Sequence, residues 1–252
     1  MALGGMGLFL LEAGAGTALL LLFFPPRTLG KGFFSLHGAL AFLFLLLGAL
    51  VHPAGLPGIA NGIAASLLLL YTAAAQAGRA LSARPVLAAG ALCAAGSLWR
   101  VALHAPRPYG NVWTAAGALL GGLFLGAVLL TMNLGHWYLI SRSLSFRLLA
   151  RGAALFAVLA ISRAALLATA VVIAPRREGL ASLLSLERDA LFFLFRILWG
   201  IVGPLALSYF IWKTADMRSN QAATGLLYVA LVFVLIGELL SSYLTVATGF
   251  PA

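Results

Sequence analysis

The chain has 252 residues, of which 63% are hydrophobic and 9% are charged, and its mean hydropathy is +1.06. Soluble domains carry roughly 25% charged residues, so this composition excludes a soluble globular protein and indicates a protein embedded in a lipid bilayer. The 16 Lys and Arg residues outnumber the 6 acids and give a net charge of +10. No stripe of basic and aromatic residues indicates nucleic-acid binding, so we assign the basic excess to loops that orient the protein in the membrane.

The single cysteine and the absence of Lys and Arg from the start of the chain exclude two kinds of site or segment. The one cysteine, Cys93, lies in an apolar stretch, which excludes an intrachain disulfide and a cysteine-based metal site. The first 24 residues contain no Lys or Arg and therefore lack the positively charged start of a signal peptide. We expect them to be retained as the first membrane span.

Eight apolar stretches are long enough to cross the bilayer as helices, which takes roughly 20 residues each. Prolines and polar residues separate them, and these belong outside the hydrocarbon region. The sequence therefore predicts an all-α integral membrane protein, a polytopic bundle of about eight transmembrane helices that forms one domain over residues 1–252. The predicted spans run at about 3–24, 33–53, 58–79, 85–105, 112–134, 151–174, 190–212 and 221–248.

The distribution of Lys and Arg between alternate loops predicts the orientation. One set of loops carries nine of these residues and the other set carries four. Basic loops stay on the cytoplasmic side, so we expect both termini to be extracytoplasmic. We expect the membrane to be the inner (cytoplasmic) membrane of a bacterium.

All four histidines fall near the ends of predicted spans. His37 and His52 lie at opposite ends of the second span, about 22 Å apart along the helix and on similar faces. His104 lies at the external end of the fourth span and His136 at the cytoplasmic end of the fifth. Each leaflet thus receives two histidines from two different helices.

This distribution is typical of two haems b, each held by two histidine axial ligands. The predicted iron ligands are His37 with His136 in one leaflet and His52 with His104 in the other. Arg100, one turn before His104, is placed to pair with a haem propionate. The same four residues are also consistent with a single haem, or with haem-free histidines that lie among the lipid headgroups.

Four charged residues fall inside predicted spans, where ionisable groups are costly and are usually paired or functional. One interpretation pairs Glu12 or Glu238 with Arg163 and leaves the other acid near Arg196. The functional interpretation makes Glu12, Glu238 and Arg163 a quinone or proton site, because a buried carboxylate can exchange protons with a bound quinone.

Taken together, these features predict a dihaem cytochrome b-like membrane subunit of a respiratory or electron-transfer complex. It would pass electrons between the quinone pool and an extracytoplasmic redox partner, such as a haem or iron–sulfur protein, and would at most be the quinone-reactive part of an oxidoreductase. Two alternatives are a haem-free quinone-binding or structural anchor of such a complex, and a proton-coupled transporter or permease.

Overall fold

A computed structural model describes residues 2–51, 55–104, 111–140, 146–173 and 187–250. Within these ranges every regular element is a helix, and no strand occurs. The helices are α1 (Ala2–Leu21), α2 (Pro26–Val51), α3 (Gly55–Gln76), α4 (Arg84–Leu103), α5 (Asn111–Ile140), α6 (Phe146–Ile173), α7 (Glu187–Ile197), a π-helical turn (Leu198–Val202), α8 (Gly203–Asp216) and α9 (Asn220–Thr248).

Eight helical rods in the described residues are long and apolar enough to cross a membrane. They are α1 to α6, the continuous rod of α7, the π-helical turn and α8, and finally α9. The prediction of an integral membrane protein made of transmembrane helices is confirmed. We call the α7–α8 rod the seventh span and α9 the eighth.

Several spans are longer than the sequence predicts, and two of them carry candidate histidines. The second begins at Pro26 rather than near residue 33, because proline is well accommodated in the first turn of a helix. The fifth continues to Ile140 rather than ending near residue 134. Gly30, with a positive φ of 74°, kinks the added part of α2, whereas α5 extends as an uninterrupted helix. As a consequence, His136 lies inside α5 and not in a loop after it.

The spans pack as two groups of four with the same order of neighbours. In the first group α1 packs against α2, α2 against α3, α3 against α4, and α4 returns to α1. In the second group α5 packs against α6, α6 against α8, α8 against α9, and α9 returns to α5. The groups join through α1 with α5, α4 with α5, and α9 with α1. If each span is replaced by the span four positions along the chain, every contact in this set is replaced by another contact in the set. No repeat is evident in the sequence.

Helices α1 and α5 form the centre of the bundle. Their most apolar windows are 67% and 72% buried, against 28–39% for the other six spans. Glycines allow the two backbones to touch: a Cβ added to Gly16 would overlap the carbonyl of Gly122, and one added to Gly126 would lie 2.6 Å from the Gly16 carbonyl group. Gly122 and Gly126 have the four-residue spacing that membrane helices use for close contact.

The seventh span is interrupted near its middle. Pro204 has no N–H for the usual bond to the carbonyl four residues earlier, and the chain widens there into the π-helical turn, in which the Gly203 N–H bonds to the Leu198 carbonyl. Within this turn Gly200 packs directly against Gly237 of α9. Single π-turns inside α-helices occur frequently at functional sites.

Candidate functional site

Four charged side chains from four different spans meet inside the bundle: Glu12 on α1, Arg163 on α6, Arg196 on α7 and Glu238 on α9. Each is 2% exposed or less. Each also lies about ten residues, or ~15 Å, from the end of its helix on the same side of the bundle. We call these four residues the ionic cluster, and its depth places it near the middle of a ~30 Å hydrocarbon core.

Glu238 is the centre of the ionic cluster because both arginines point at its carboxylate. Arg163 Nε donates to Oε1 at 3.1 Å, and Arg163 Nη2 donates to Oε2 at 2.6 Å. Arg196 Nη2 forms a second ion pair, 3.0 Å from Oε1. Arg163 Nη2 also donates to the hydroxyl of Ser241 at 2.7 Å. One carboxylate therefore joins α6 and α7 to α9.

Glu12 has a different environment from Glu238. In the part of the chain that the structure describes, its carboxylate has one hydrogen-bonding partner, the Ser242 hydroxyl, which lies 2.9 Å from Oε2. Arg163 and Arg196 are close enough to interact with it electrostatically but form no hydrogen bond with it. Glu12 is thus the less firmly held of the two acids.

Gly121 of α5 provides the wall against which the ionic cluster packs. A Cβ at this position would lie 2.7 Å from Glu238 Oε2, 3.3 Å from Arg163 Nη2 and 3.4 Å from Glu12 Oε2. The absence of a side chain lets three charged groups from three spans converge on one point of the α5 backbone. Any larger residue would push them apart.

The guanidinium of Arg196 is packed between two glycines, but most of its donors are unused. A Cβ on Gly200 would overlap Nη1, and one on Gly237 would lie 3.1 Å from Nη1. Among the described residues, Nε and Nη1 have no hydrogen-bond acceptor. A buried donor without an acceptor costs about 1–3 kcal/mol, and more when the group is charged. This side chain can therefore donate hydrogen bonds to an acceptor that the described residues do not supply.

The sequence correctly indicated that Arg163 pairs with one of the two buried acids. The acid is Glu238, which also takes Arg196, whereas Glu12 bonds to Ser242. Sequence reasoning missed Ser242. The signal was its position one turn after Glu238 on a helix, which puts the two side chains on one face.

Gly121 and Ser241 were also missed. Ser241 follows Glu238 by three residues and shares its face of α9 for the same reason as its neighbour. Gly121 gave no such signal, because nothing in the sequence indicates which glycine of α5 faces the charges on three other spans.

His37 is fully buried. It lies in the first half of α2, toward the end of the bundle where α1 ends and α2 begins. Its Nδ1–H donates to the Phe33 carbonyl at 2.7 Å, and its Nε2 accepts from Asn133 Nδ2 of α5 at 3.0 Å. The ring of Phe33 packs beside the His37 ring, and Trp137 in turn packs against Phe33. Both ring nitrogens are therefore occupied by the protein itself.

His136 does not face His37. It is exposed, and its Nδ1 forms a 3.2 Å hydrogen bond with the hydroxyl of Tyr228 on α9. Helices α2 and α5 do meet here, as the haem prediction requires, but they meet through Asn133. A bis-histidine haem needs a free nitrogen on each ring, so the residues as placed do not fit a haem between His37 and His136.

The second predicted haem pair is only partly within the described residues. His52 lies outside them. His104 is exposed at the end of α4, where its Nδ1–H donates to the Arg100 carbonyl at 2.7 Å, and the Arg100 side chain is exposed as well. In the described ranges, no group of three or more His, Cys, Asp or Glu residues is arranged to hold a metal ion. The haem site of His52 and His104 stays a prediction.

Comparison with known proteins gives no match: no family model, no curated protein and no solved structure is similar to this chain. The function must therefore be argued from the geometry of the bundle and of the ionic cluster.

Proposed function

We propose that this chain is a proton-coupled transporter whose binding site is the ionic cluster. The observation that carries the proposal is the place of the cluster: four buried charges at mid-depth, where α1 of the first group of spans meets the second group, beside the interrupted seventh span.

The architecture supports this function through a general property of transporters. Many of them consist of two related groups of spans, and they bind substrate and coupling ions near the midplane where the groups meet, beside a discontinuous helix. Here the two groups share one packing order, and Arg196 stands directly before the π-helical turn. A helix break at this point supplies a segment that can rearrange when the site is loaded or emptied.

The chemistry of the cluster supports coupling to protons. Glu12 and Glu238 border the same point at Gly121, so the charge on one carboxylate changes the proton affinity of the other. Glu238 is held by two arginines and Glu12 by one hydroxyl. We therefore assign the exchangeable proton to Glu12.

The orientation and location belong to the same proposal. The loops with nine Lys and Arg residues would be cytoplasmic, which puts both termini outside. The membrane would be the cytoplasmic membrane of a bacterium.

A second candidate is the membrane subunit of a quinone-linked redox complex. The specific observation in its favour is Arg196, because unused N–H donors suit a quinone carbonyl, and Glu12 would supply a proton when the quinone is reduced. Reduction takes two electrons and two protons, and the electrons would come from an extracytoplasmic haem or iron–sulfur protein. The two haems b expected from the sequence would belong to this candidate, and a haem between His37 and His136 would require His37 to release Asn133.

The test uses the purified full-length chain in lipid vesicles that contain a pH-sensitive dye. A proton gradient is imposed, and alanine, glucose, lactate, nitrate and potassium are each added outside as probe solutes. At least one solute should drive proton movement above that of protein-free vesicles. Glu12→Gln should abolish this movement, whereas Asp216→Asn, which changes an exposed acid at the end of α8, should leave it unchanged.

The outcomes separate the two candidates. Solute-driven proton movement that depends on Glu12 supports the transporter. No movement with any solute from a folded protein overturns it, and a quinol-reducible absorbance in the same preparation would favour the redox subunit.

A further inference from the structure

The hydroxyl of Ser242 has one hydrogen but two acceptors. Its Oγ lies 2.9 Å from Glu12 Oε2 and also 2.9 Å from the backbone carbonyl of Glu238. Since the single hydrogen can satisfy only one of them, the two contacts describe two alternative arrangements. They differ in where the hydrogen of Ser242 points.

The two arrangements also differ by one proton on Glu12. When Ser242 donates to the Glu238 carbonyl, the contact between Ser242 and Glu12 is a hydrogen bond only if Glu12 is protonated and donates. When Glu12 is ionised, Ser242 turns and donates to its carboxylate. The Glu238 carbonyl loses little in this second arrangement, because it keeps its helical bond from the Ser242 N–H.

The charge of the ionic cluster follows the proton on Glu12. With both acids ionised, two arginines and two glutamates sum to zero. With Glu12 protonated, the ionic cluster has one uncompensated positive charge, which is costly in a site that excludes water. A single negative charge brought to the cluster would remove this cost.

Arg196 is the place where that negative charge would bind. Its Nε and Nη1 are the donors that lack acceptors within the described residues, and the side chain is fully buried. Because Gly200 and Gly237 pack against the guanidinium from the helix backbones, a ligand that reaches its Nε and Nη1 must be small. Guanidinium donors bind oxyanions and carboxylates with particular strength.

No other charged group in the described residues alters this count of the net charge of the ionic cluster. Glu12 faces Glu238 from α9, Arg163 from α6 and Arg196 from α7, and α5 presents Gly121. The next acid on the seventh span, Asp189, lies two helical turns or about 10 Å from Arg196 along the axis. Two other helices pack against α1. Leu45 of α2 packs on Gly14 of α1, and α4 carries its charges at Arg84 and Arg100, near its two ends.

We infer that the ligand of the ionic cluster is a small monoanion, which binds at Arg196 together with one proton on Glu12. The inference rests on the proposed transport function and names its substrate class. The empty cluster with Glu12 ionised is neutral, and so is the cluster that holds both the anion and the proton. A cluster with the proton alone or the anion alone carries a net charge and is disfavoured, which couples the two and makes the movement electrically neutral.

The closing experiment measures binding separately from transport. Isothermal titration of the detergent-purified full-length chain with sodium nitrate and sodium chloride, in buffers of different ionisation enthalpy, gives the number of protons taken up per anion. We expect about one proton per anion, and an apparent Kd that rises about tenfold per pH unit where this uptake is complete.

Three variants assign the roles. Glu12→Gln, which cannot ionise, should bind the anion with no proton uptake and no pH dependence. Arg196→Gln should weaken binding by about 10- to 100-fold, and Arg196→Lys, which keeps the charge and guards against a folding failure, should weaken it less. Arg151→Gln, a matched change at an exposed arginine of α6, should bind like the unaltered chain.

Each outcome decides between the two proposals. Absence of anion binding at every pH, or binding that takes up no proton in the unaltered chain, overturns the inference. Binding with proton uptake but no anion flux in vesicles supports the inferred site and overturns the transport function. Proton movement driven by a solute other than an anion leaves the transport function standing and overturns the inferred substrate class.

Discussion

The ionic cluster and the contact between His37 and Asn133 are both buried polar sites that join distant spans, yet their hydrogen bonds differ. At His37 both ring nitrogens have partners, one on α2 and one on α5. In the ionic cluster the Arg196 Nε and Nη1 have no acceptor within the described residues, and the Ser242 hydroxyl serves two acceptors with one hydrogen.

This difference separates a site that holds helices together from one that can change state. A fully satisfied polar contact has one best arrangement and loses free energy in any other. A cluster with unused donors and a shared hydroxyl has at least two arrangements of similar energy. The location of unsatisfied groups is therefore more informative about function here than the presence of charge or histidine.

The largest expected effect comes from removing the acid at the centre of the cluster. Glu238→Gln leaves Arg163 and Arg196 buried without their shared carboxylate, and breaking a buried ion pair in this way costs about 3–5 kcal/mol. The variant should show greatly reduced yield and a lower apparent unfolding temperature in detergent.

Glu12→Gln is the matched control on the other acid, because its amide can still bond to Ser242. Its apparent unfolding temperature should stay near that of the unaltered chain. Equal destabilisation by the two changes would mean that the acids have equivalent structural roles, contrary to the geometry.

The next largest effect is expected where the two groups of spans touch. Gly16→Ala adds a methyl group that overlaps the Gly122 carbonyl, so α1 and α5 must separate. Overpacking of this kind costs about 1–3 kcal/mol, and it would shift Glu12 relative to the other three charges. The apparent unfolding temperature and the anion affinity should both fall.

Gly96→Ala is the matched change at a helical glycine with open space, since nothing lies within 4 Å of its added Cβ. It should leave the apparent unfolding temperature unchanged or slightly higher, because alanine favours helix more than glycine does. A comparable loss in both variants would show that the effect is not specific to the contact of α1 with α5.

A comparable effect on stability is expected at the satisfied site. Asn133→Leu removes the donor to His37 Nε2 and leaves a buried acceptor unpaired, at a cost of about 1–3 kcal/mol. Thermal unfolding in detergent should detect the loss, while anion binding at the distant ionic cluster should keep its proton uptake. Loss of that uptake would show that the two sites are coupled, and the contrast between them would no longer hold.

Features that depend on neighbouring residues could be predicted from the sequence, whereas contacts between residues far apart in the sequence could not. The eight spans were predictable because each apolar run is local, and only their ends shifted, as at Ile140, where the helix continues past the apolar residues. The four buried charges could be named from their depth alone.

Their pairing could not be predicted. Arg163 meets a carboxylate 75 residues away, and His37 meets an amide 96 residues away. The packing order of helices in lipid depends on such distant contacts, and one sequence does not reveal them. The predicted pairing of His37 with His136 illustrates the limit: the two helices do meet there, but the residue that reaches His37 is Asn133, three positions before the expected histidine.

The smallest expected effect is at His136, and it sharpens the comparison most directly. The side chain is exposed and forms one hydrogen bond in the described residues, to the Tyr228 hydroxyl, so His136→Ala should change the free energy of unfolding by less than about 0.5 kcal/mol.

If His136 and His37 instead ligate a haem, the same change would remove a visible absorbance band from the reduced-minus-oxidised spectrum of protein expressed with added haem. We expect the spectra of the unaltered chain and the variant to coincide, because His37 has no free nitrogen for iron while it bonds to Phe33 and Asn133. A band that disappears in His136→Ala would mean that a haem replaces the hydrogen bond between His37 and Asn133. The His37 site would then also have two states, and the contrast with the ionic cluster would fail.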